Sequence, residues 1–176
     1  MHYKLLKKYY FINSFDTNII NKQDKTTTFI YRDYKRSKLD TTKILKLKTF
    51  LKKRGNKFLL ANNFKMALKF KLDGVYLPSF NRRFDHLNYL TYSNFIILGS
   101  AHNLKEIKIK ERQRVQSIFI SSLFKKNNNF LGINKFKIIC SYSKKNIIAL
   151  GGISKKNIKK LRLLNISGFA GISFFE

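Results

Sequence analysis

The chain predicts an α/β fold, a trimmed TIM (β/α)8 barrel lacking the final helix, with residues 1–176 forming one domain. Three observations predict it. Eight short runs rich in β-branched and aromatic residues alternate with helical or loop stretches, the order that builds a parallel sheet. Right-handed crossovers of such units close into a barrel. The segment Lys145–Glu176 shows the unit complete: an apolar run from Asn146 stops at Gly151 and Gly152, Ser154 caps a helix over Lys155–Leu164, and Asn165–Gly168 turns into a strand over Phe169–Ser173. At 176 residues the chain is short for this barrel, which usually needs about 250, so its connections must be trimmed.

In order, Lys8–Ile12 reads as the first strand, and Asn13–Lys25 leaves room for a short helix or loop. Thr26–Tyr31 is the second strand. Asp40 caps a helix to Arg54, with Ile44, Leu45, Leu47, Phe50 and Leu51 as its inner stripe and Gly55 as its end. Lys57–Ala61 is the third strand, Phe64–Phe70 a short helix, and Gly74–Leu77 a fourth strand halted by Pro78. Phe84–Tyr92 has weak helical character. Asn94–Leu98 and Leu104–Glu111 supply the fifth strand and its helix, and Gln116–Ile120 the sixth strand. A polar loop through Lys125, Lys126 and Asn127–Asn129 leads to an amphipathic helix over about Ile133–Tyr142. The flank beyond the eighth strand is left without a covering helix, a place for the partner subunit of a homo-oligomer.

The chain carries 37 Lys and Arg against 9 Asp and Glu, a formal charge of +28. Such a surface attracts nucleic acid, an anionic membrane surface or phosphorylated metabolites. Lys, Asn and Ile recur throughout, the lysines fall mostly on solvated helix faces, and no bounded basic tail stands out, so composition accounts for the charge. Aromatics such as Tyr31, Tyr34 and Phe124 near Arg32 and Lys125 suit strands better than base stacking, and no nucleic-acid motif is present. No apolar run reaches the length of a membrane span, and Tyr9–Ile12 is too short for the core of a signal peptide. The single cysteine, Cys140, lies among Phe136, Ile138 and Ile139 and reads as a buried thiol in a reducing cytoplasm. His2, His86, His102 and Cys140 share no metal-ligand spacing.

The strand–Gly-Gly–helix step is where chemistry enters. Glycines after a strand let the backbone approach a phosphate, and the N-terminus of the next helix favours its charge. The same pair can also be no more than a tight turn.

The strings Ile147-Ile-Ala-Leu-Gly-Gly-Ile153 and Gly168-Phe-Ala-Gly-Ile-Ser173 resemble the end of the thiamine phosphate synthase and TenI (thiazole tautomerase) family of TIM barrels. In that family these loops hold the phosphate of the thiazole substrate, which the resemblance assigns here to Gly151, Gly152, Ile172 and Ser173. The similarity runs from Thr26 to Phe174 and is densest at strand ends. Ile30-Tyr-Arg-Asp-Tyr34 resembles the family's Gln-x-Arg-x-Lys, keeping Arg32 for the pyrimidine pyrophosphate while Gln and Lys become Ile30 and Tyr34. Ala61-Asn-Asn63 is similar to its Asn-Asp pair, keeping Asn62 for substrate but placing Asn63 at a magnesium aspartate. Leu72-Asp-Gly-Val-Tyr-Leu77 resembles Ala-Asp-Gly-Val-His-Leu, with the second magnesium aspartate falling near Asn81. Gly99-Ser-Ala-His-Asn103 matches the Ser-x-His segment, implying catalytic roles for Ser100 and His102. Ser121-Ser-Leu-Phe-Lys-Lys126 replaces Gly-Pro-Ile-Phe-Pro-Thr, so the threonines are lost.

The resemblance implies thiamine biosynthesis: hydroxymethylpyrimidine pyrophosphate joined to thiazole phosphate with release of pyrophosphate, helped by Mg²⁺. The metal candidates Asn63 and Asn81 are amides, weaker magnesium ligands than carboxylates. The alternative is the thiazole tautomerase reaction, a proton shuttle suited to His102, whose other reading is a hydrogen bond holding the loop that Asn103 caps. A non-catalytic barrel that binds thiazole phosphate would need only the glycine cup. The expected partners are therefore phosphorylated thiazole and pyrimidine molecules, with no role for nucleic acid or membrane.

Overall fold

The computed structural model describes residues 6–34, 39–89, 91 and 93–175. His2, Glu176, and Leu90 and Tyr92 of the expected weak helix lie outside them. The strands are β1 Lys7–Ile12, β2 Thr28–Tyr31, β3 Phe58–Ala61, β4 Gly74–Leu77, β5 Ile96–Ala101, β6 Ser117–Ile120, β7 Asn146–Leu150 and β8 Gly168–Ala170. They pair in chain order, all parallel, and β1 closes on β8 to give an eight-stranded barrel. Helices α1 Thr17–Asn21, α2 Thr41–Arg54, α3 Phe64–Lys69, α4 Leu104–Arg112 and α5 Gly132–Ser141 lie between strands.

Alternation along each strand builds two apolar layers. Tyr9, Phe11, Ile30, Leu59, Tyr76, Leu98, Phe119 and Ile148 fill the barrel interior. Tyr10, Phe29, Tyr31, Phe58, Val75, Ile118 and Ile147 point the other way, into the layer shared with the helices. The interior is a plug of rings: Phe119 meets Tyr9 at 5.2 Å, Phe11 at 5.6 Å and Tyr76 at 5.5 Å. Helix α2 starts where Asp40 accepts from the Lys43 N–H at 2.9 Å and buries Ile44, Leu47 and Leu51. Leu45, expected on that stripe, is 43% exposed because it sits one step, about 100°, round the helix from Ile44.

Two expectations need correction. No α-helix follows Gly152: Lys155–Leu164 forms a turn and then a 3-10 helix over Ile158–Leu163. Ser154 caps nothing with its side chain; instead its N–H donates to Asn157 Oδ1 at 2.9 Å, while Asn157 Nδ2 donates to the Gly152 carbonyl at 2.8 Å. Asn157 thus offers the backbone an alternative to helix, and Lys155, Lys156, Lys159 and Lys160 put like charges at what would be the helix's positive end. Second, the described residues of the Phe84–Tyr92 segment contribute only a 3-10 turn over Asp85–Asn88. Beyond β8 the chain packs its own rings on the outer layer. Phe175 stacks on Tyr10 at 4.8 Å, Phe174 packs edge-on to Phe169 at 4.8 Å, and Gln23 Nε2 donates to the Phe175 carbonyl.

Cys140 is half-buried, and burial pushes its thiol up to about 12, as befits an unreactive side chain. No helix among the described residues is long and apolar enough to cross a membrane.

Candidate active site

Parallel strands deliver their C-terminal ends to one rim, and the predicted site residues lie along it. Arg32 follows β2, Asn62 and Asn63 follow β3, Asn81 lies beyond β4, His102 follows β5, Gly151 and Gly152 follow β7, and Ile172 and Ser173 follow β8. Arg32 and Ile172 share a cavity of about 220 Å³ with Phe11 and Asn13. Asn62, Asn63 and Asn81 line a second, of about 530 Å³, with Lys65, Phe80 and Arg82. The guanidinium of Arg32 stands 4.8 Å above the Phe11 ring, a cation on an aromatic face, and its backbone N–H donates to the Ile12 carbonyl at 2.8 Å. Beside it Tyr34 meets Phe80 edge-on at 5.4 Å, so the residue at the family's Lys position is half of an aromatic pair bridging the β2 and β4 loops.

Ser100 belongs to β5 rather than to the loop after it, and its side chain turns inward. It is 3% exposed, and its Oγ accepts a hydrogen bond from Tyr76 Oη at 2.8 Å. Burial raises the Tyr76 phenol above its usual range, so this hydroxyl stays a donor. The Ser100 expected beside reacting atoms is therefore paired with Tyr76 inside the barrel, because strand parity turns both residues inward.

The three asparagines divide their work. Asn62 adopts a left-handed backbone, φ +58°, which Asn tolerates better than most residues, and its Oδ1 accepts from Asn81 Nδ2 at 2.7 Å. Asn63, expected to bind substrate or metal, instead caps α3: its Oδ1 accepts from the Met66 N–H at 3.0 Å. Asn63→Ala is expected to lower stability by about 1 kcal/mol in denaturant unfolding, and Asn63→Asp, another good cap, to retain it. Asn81 Oδ1 accepts from the Arg83 N–H at 3.0 Å.

These donors do not fit Mg²⁺. That ion wants near-octahedral oxygens and usually one or two carboxylates. Here the two amide oxygens at the expected positions serve a helix cap and a loop turn. No group of three His, Cys, Asp or Glu among the described residues could hold a metal.

A cation of the chain's own lies behind the β4 loop. Lys110 of α4 is 0% exposed, and its Nζ donates to the Pro78 carbonyl at 2.7 Å, the Asn81 carbonyl at 2.7 Å and Gln113 Oε1 at 2.9 Å. Gln113, also fully buried, donates to the Asn81 and Arg83 carbonyls at 3.2 and 2.7 Å, and its own carbonyl meets His86 Nε2 at 2.9 Å. Burial lowers the Lys110 ammonium to about 8, with Glu106 pulling the other way.

His102 is half-buried. Its Nδ1 lies 3.1 Å from the Ser121 carbonyl and 3.0 Å from Ser121 Oγ, and its backbone N–H donates to Glu106 Oε2 at 2.7 Å. A carbonyl only accepts, so Nδ1 carries the proton in the neutral ring and Nε2 is the basic nitrogen. Asn103 caps α4 through the Glu106 N–H at 3.0 Å.

The glycine cup is built from backbone. Gly151 and Gly152 have φ of +103° and +73°, open to glycine and strained for other residues. A Cβ on Gly151 would come 2.5 Å from Ser122 Oγ, and one on Gly152 would come 2.5 Å from the Lys125 nitrogen. The Gly151 carbonyl accepts from the Phe124 N–H at 2.8 Å, which ties the cup to the loop carrying Lys125 and Lys126. No α-helix follows to lend the cup a helix dipole, and Lys125 and Lys126 lie exposed on the adjoining loop. Ile172 and Ser173 lie exposed on the neighbouring loop.

Sequence reasoning missed Phe11, Tyr76, Lys110, Gln113 and Asn157. Only Tyr76 left a signal: it stands where the family pattern has His, at the parity that faces Ser100.

A family profile described as Thiamine monophosphate synthase matches residues 18–175. The chain is 29% identical over 169 residues to a thiamine-phosphate synthase of Helicobacter pylori, covering 90% of this chain and 76% of that protein. It is 26% identical over 120 residues to one of Methanococcus vannielii, a match spanning 66% of this chain and only 58% of the relative's length. Among solved structures, a thiamine phosphate pyrophosphorylase from Pyrococcus furiosus shares the fold at a TM-score of 0.76 and 20% identity, covering 96% of this chain and 86% of that one. With a barrel closed in the same manner and a family match that runs over nearly its whole length, the chain belongs to the thiamine monophosphate synthase family.

Proposed function

We propose that the chain, acting as one barrel domain over residues 1–176 in the cytoplasm, is a transferase of thiamine biosynthesis that joins hydroxymethylpyrimidine pyrophosphate to thiazole phosphate. The observation that carries this reading is the placement of two anion-suited features on one rim: the Gly151–Gly152 cup beside Ser173, and Arg32 over Phe11 beside the Asn62–Asn81 pair. The cup takes the thiazole phosphate, with Ile172 against the ring. Arg32 and Asn62 take the pyrophosphate. The C–O bond to pyrophosphate breaks with its electron pair leaving on oxygen, and the thiazole nitrogen lone pair closes the new C–N bond. Arg32 steadies the charge growing on the leaving group. Ser100 acts through Tyr76, whose hydroxyl it fixes.

One observation favours a second reading. The Ser121 contact leaves His102 Nε2 as the basic nitrogen, the form a thiazole tautomerase requires of a proton shuttle. A coupled assay with both phosphorylated substrates, following thiamine phosphate, decides. Product formation supports the transferase. Its failure, together with thiazole proton exchange that His102→Asn abolishes, would replace that reading with the tautomerase; binding with neither reaction would leave a carrier.

A further inference from the structure

The mouth is rich in cations and poor in uncommitted carboxylates. Two acidic residues line its cavities, and each is engaged: Asp85 pairs with Arg83 at 2.5 Å, and Asp16 caps α1 by accepting from the Asn18 and Ile19 N–H groups at 2.9 and 3.2 Å. A metal held between two carboxylates would both neutralise a pyrophosphate and tie the β3 loop to the β4 loop. Here both tasks have other agents. Asn62 and Asn81 join the loops by a direct 2.7 Å amide bond. Lys110 supplies a positive charge behind the Asn81 backbone and holds that loop through two carbonyls, with Gln113 holding the same loop from beside it.

Burying an ammonium without a carboxylate partner opposes folding, and a Met or Leu would fill the same space without that opposition. The fully buried Lys110 is thus better explained by what its charge and donors do for the loop than by packing. We propose, resting on the reading that this side of the rim takes pyrophosphate, that the mouth binds pyrophosphate as the free anion, with Lys110 as a built-in cation that positions the β4 loop in place of a divalent metal. Lys65 and Arg82, in the cavity of Asn62 and Asn81, and Arg32 in the neighbouring one, then face a ligand with its full negative charge. Mg²⁺ in solution removes part of that charge and offers no new bond, so it competes with the protein for the ligand.

Calorimetric titration of inorganic pyrophosphate into the full chain, in EDTA and then in excess Mg²⁺, tests this. Binding is expected in EDTA and about three- to tenfold weaker in Mg²⁺. Lys110→Met is expected to weaken binding in EDTA about tenfold or more, with Lys110→Arg recovering part of the loss. Asn81→Asp, which restores a carboxylate, is expected to reverse the sign, binding poorly in EDTA and better with Mg²⁺. Tighter wild-type binding in Mg²⁺, or a folded Lys110→Met protein with wild-type affinity, overturns the inference and leaves the pyrophosphate site standing. No binding under either condition sinks both. Should Lys110→Met fail to fold, the wild-type Mg²⁺ response and the sign reversal in Asn81→Asp decide between the outcomes.

Discussion

Gly152→Asp abolishes thiazole phosphate binding, by about 100-fold or more in titration calorimetry, if the cup is the phosphate site. Three effects add. The backbone at φ +73° strains a residue with a side chain by about 1–2 kcal/mol. Its Cβ would stand 2.5 Å from the Lys125 nitrogen and 3.0 Å from the Phe124 carbonyl carbon, both backbone atoms, so the loop itself must move. The new carboxylate then repels the phosphate where Lys125 and Lys126 had attracted it. Gly152→Ala separates geometry from charge: it makes the same contacts, and weakening of at least about tenfold is expected, with Gly152→Asp worse again. A folded Gly152→Ala protein, by melting curve, that binds thiazole phosphate as the wild type does would show that the ligand's phosphate lies elsewhere.

Arg32→Ala is expected to lower kcat/KM for thiamine phosphate formation by about 100-fold, close to 3 kcal/mol of transition-state stabilisation. The guanidinium is held over a ring, with Phe11 at 4.8 Å. Its loss removes a charge aimed at the leaving group and about 0.5–1 kcal/mol of cation–π packing, a small change in stability beside the change in rate. Arg32→Lys, which keeps the charge but not the planar fork, is expected to fall between. The split is informative: a fall mainly in kcat marks charge met in the transition state, whereas a rise in KM alone would reduce Arg32 to ground-state binding. Equal rates for Arg32→Ala and wild type would remove Arg32 from the pyrophosphate site.

Much of the architecture was legible in the chain because a barrel strand alternates. Tyr9 and Phe11 face in while Tyr10 and Ile12 face out, and β2, β3 and β7 repeat the pattern, so strand identity and order follow from a period of two. Asp40, Asn103 and Gly55 marked helix ends through local hydrogen bonding, which a sequence states directly. The rim positions of Arg32, Asn62, Gly151 and Gly152 were legible for the same reason: each follows a recognisable strand end. Local competition was harder to read. Ser154 looked like a cap, but Asn157 bonds the loop on both sides, and four lysines stand where a helix would want acids.

The family resemblance placed amides where the magnesium carboxylates stand; by itself the sequence determined eight strands in parallel order and the glycine pair after the seventh. These depend on residue type and spacing along the chain. Only the tertiary structure decided that Ser100 pairs with Tyr76 across two strands, and that Lys110, three residues after Ile107 on the inner stripe of α4, passes over Gly99 to the β4 loop. A Cβ on Gly99 would lie 2.7 Å from the Lys110 stem, so the ammonium reaches the loop only because β5 has no side chain there. Contacts of this kind join residues 11 to 32 positions apart in the chain, and such pairings exist only once the barrel has closed.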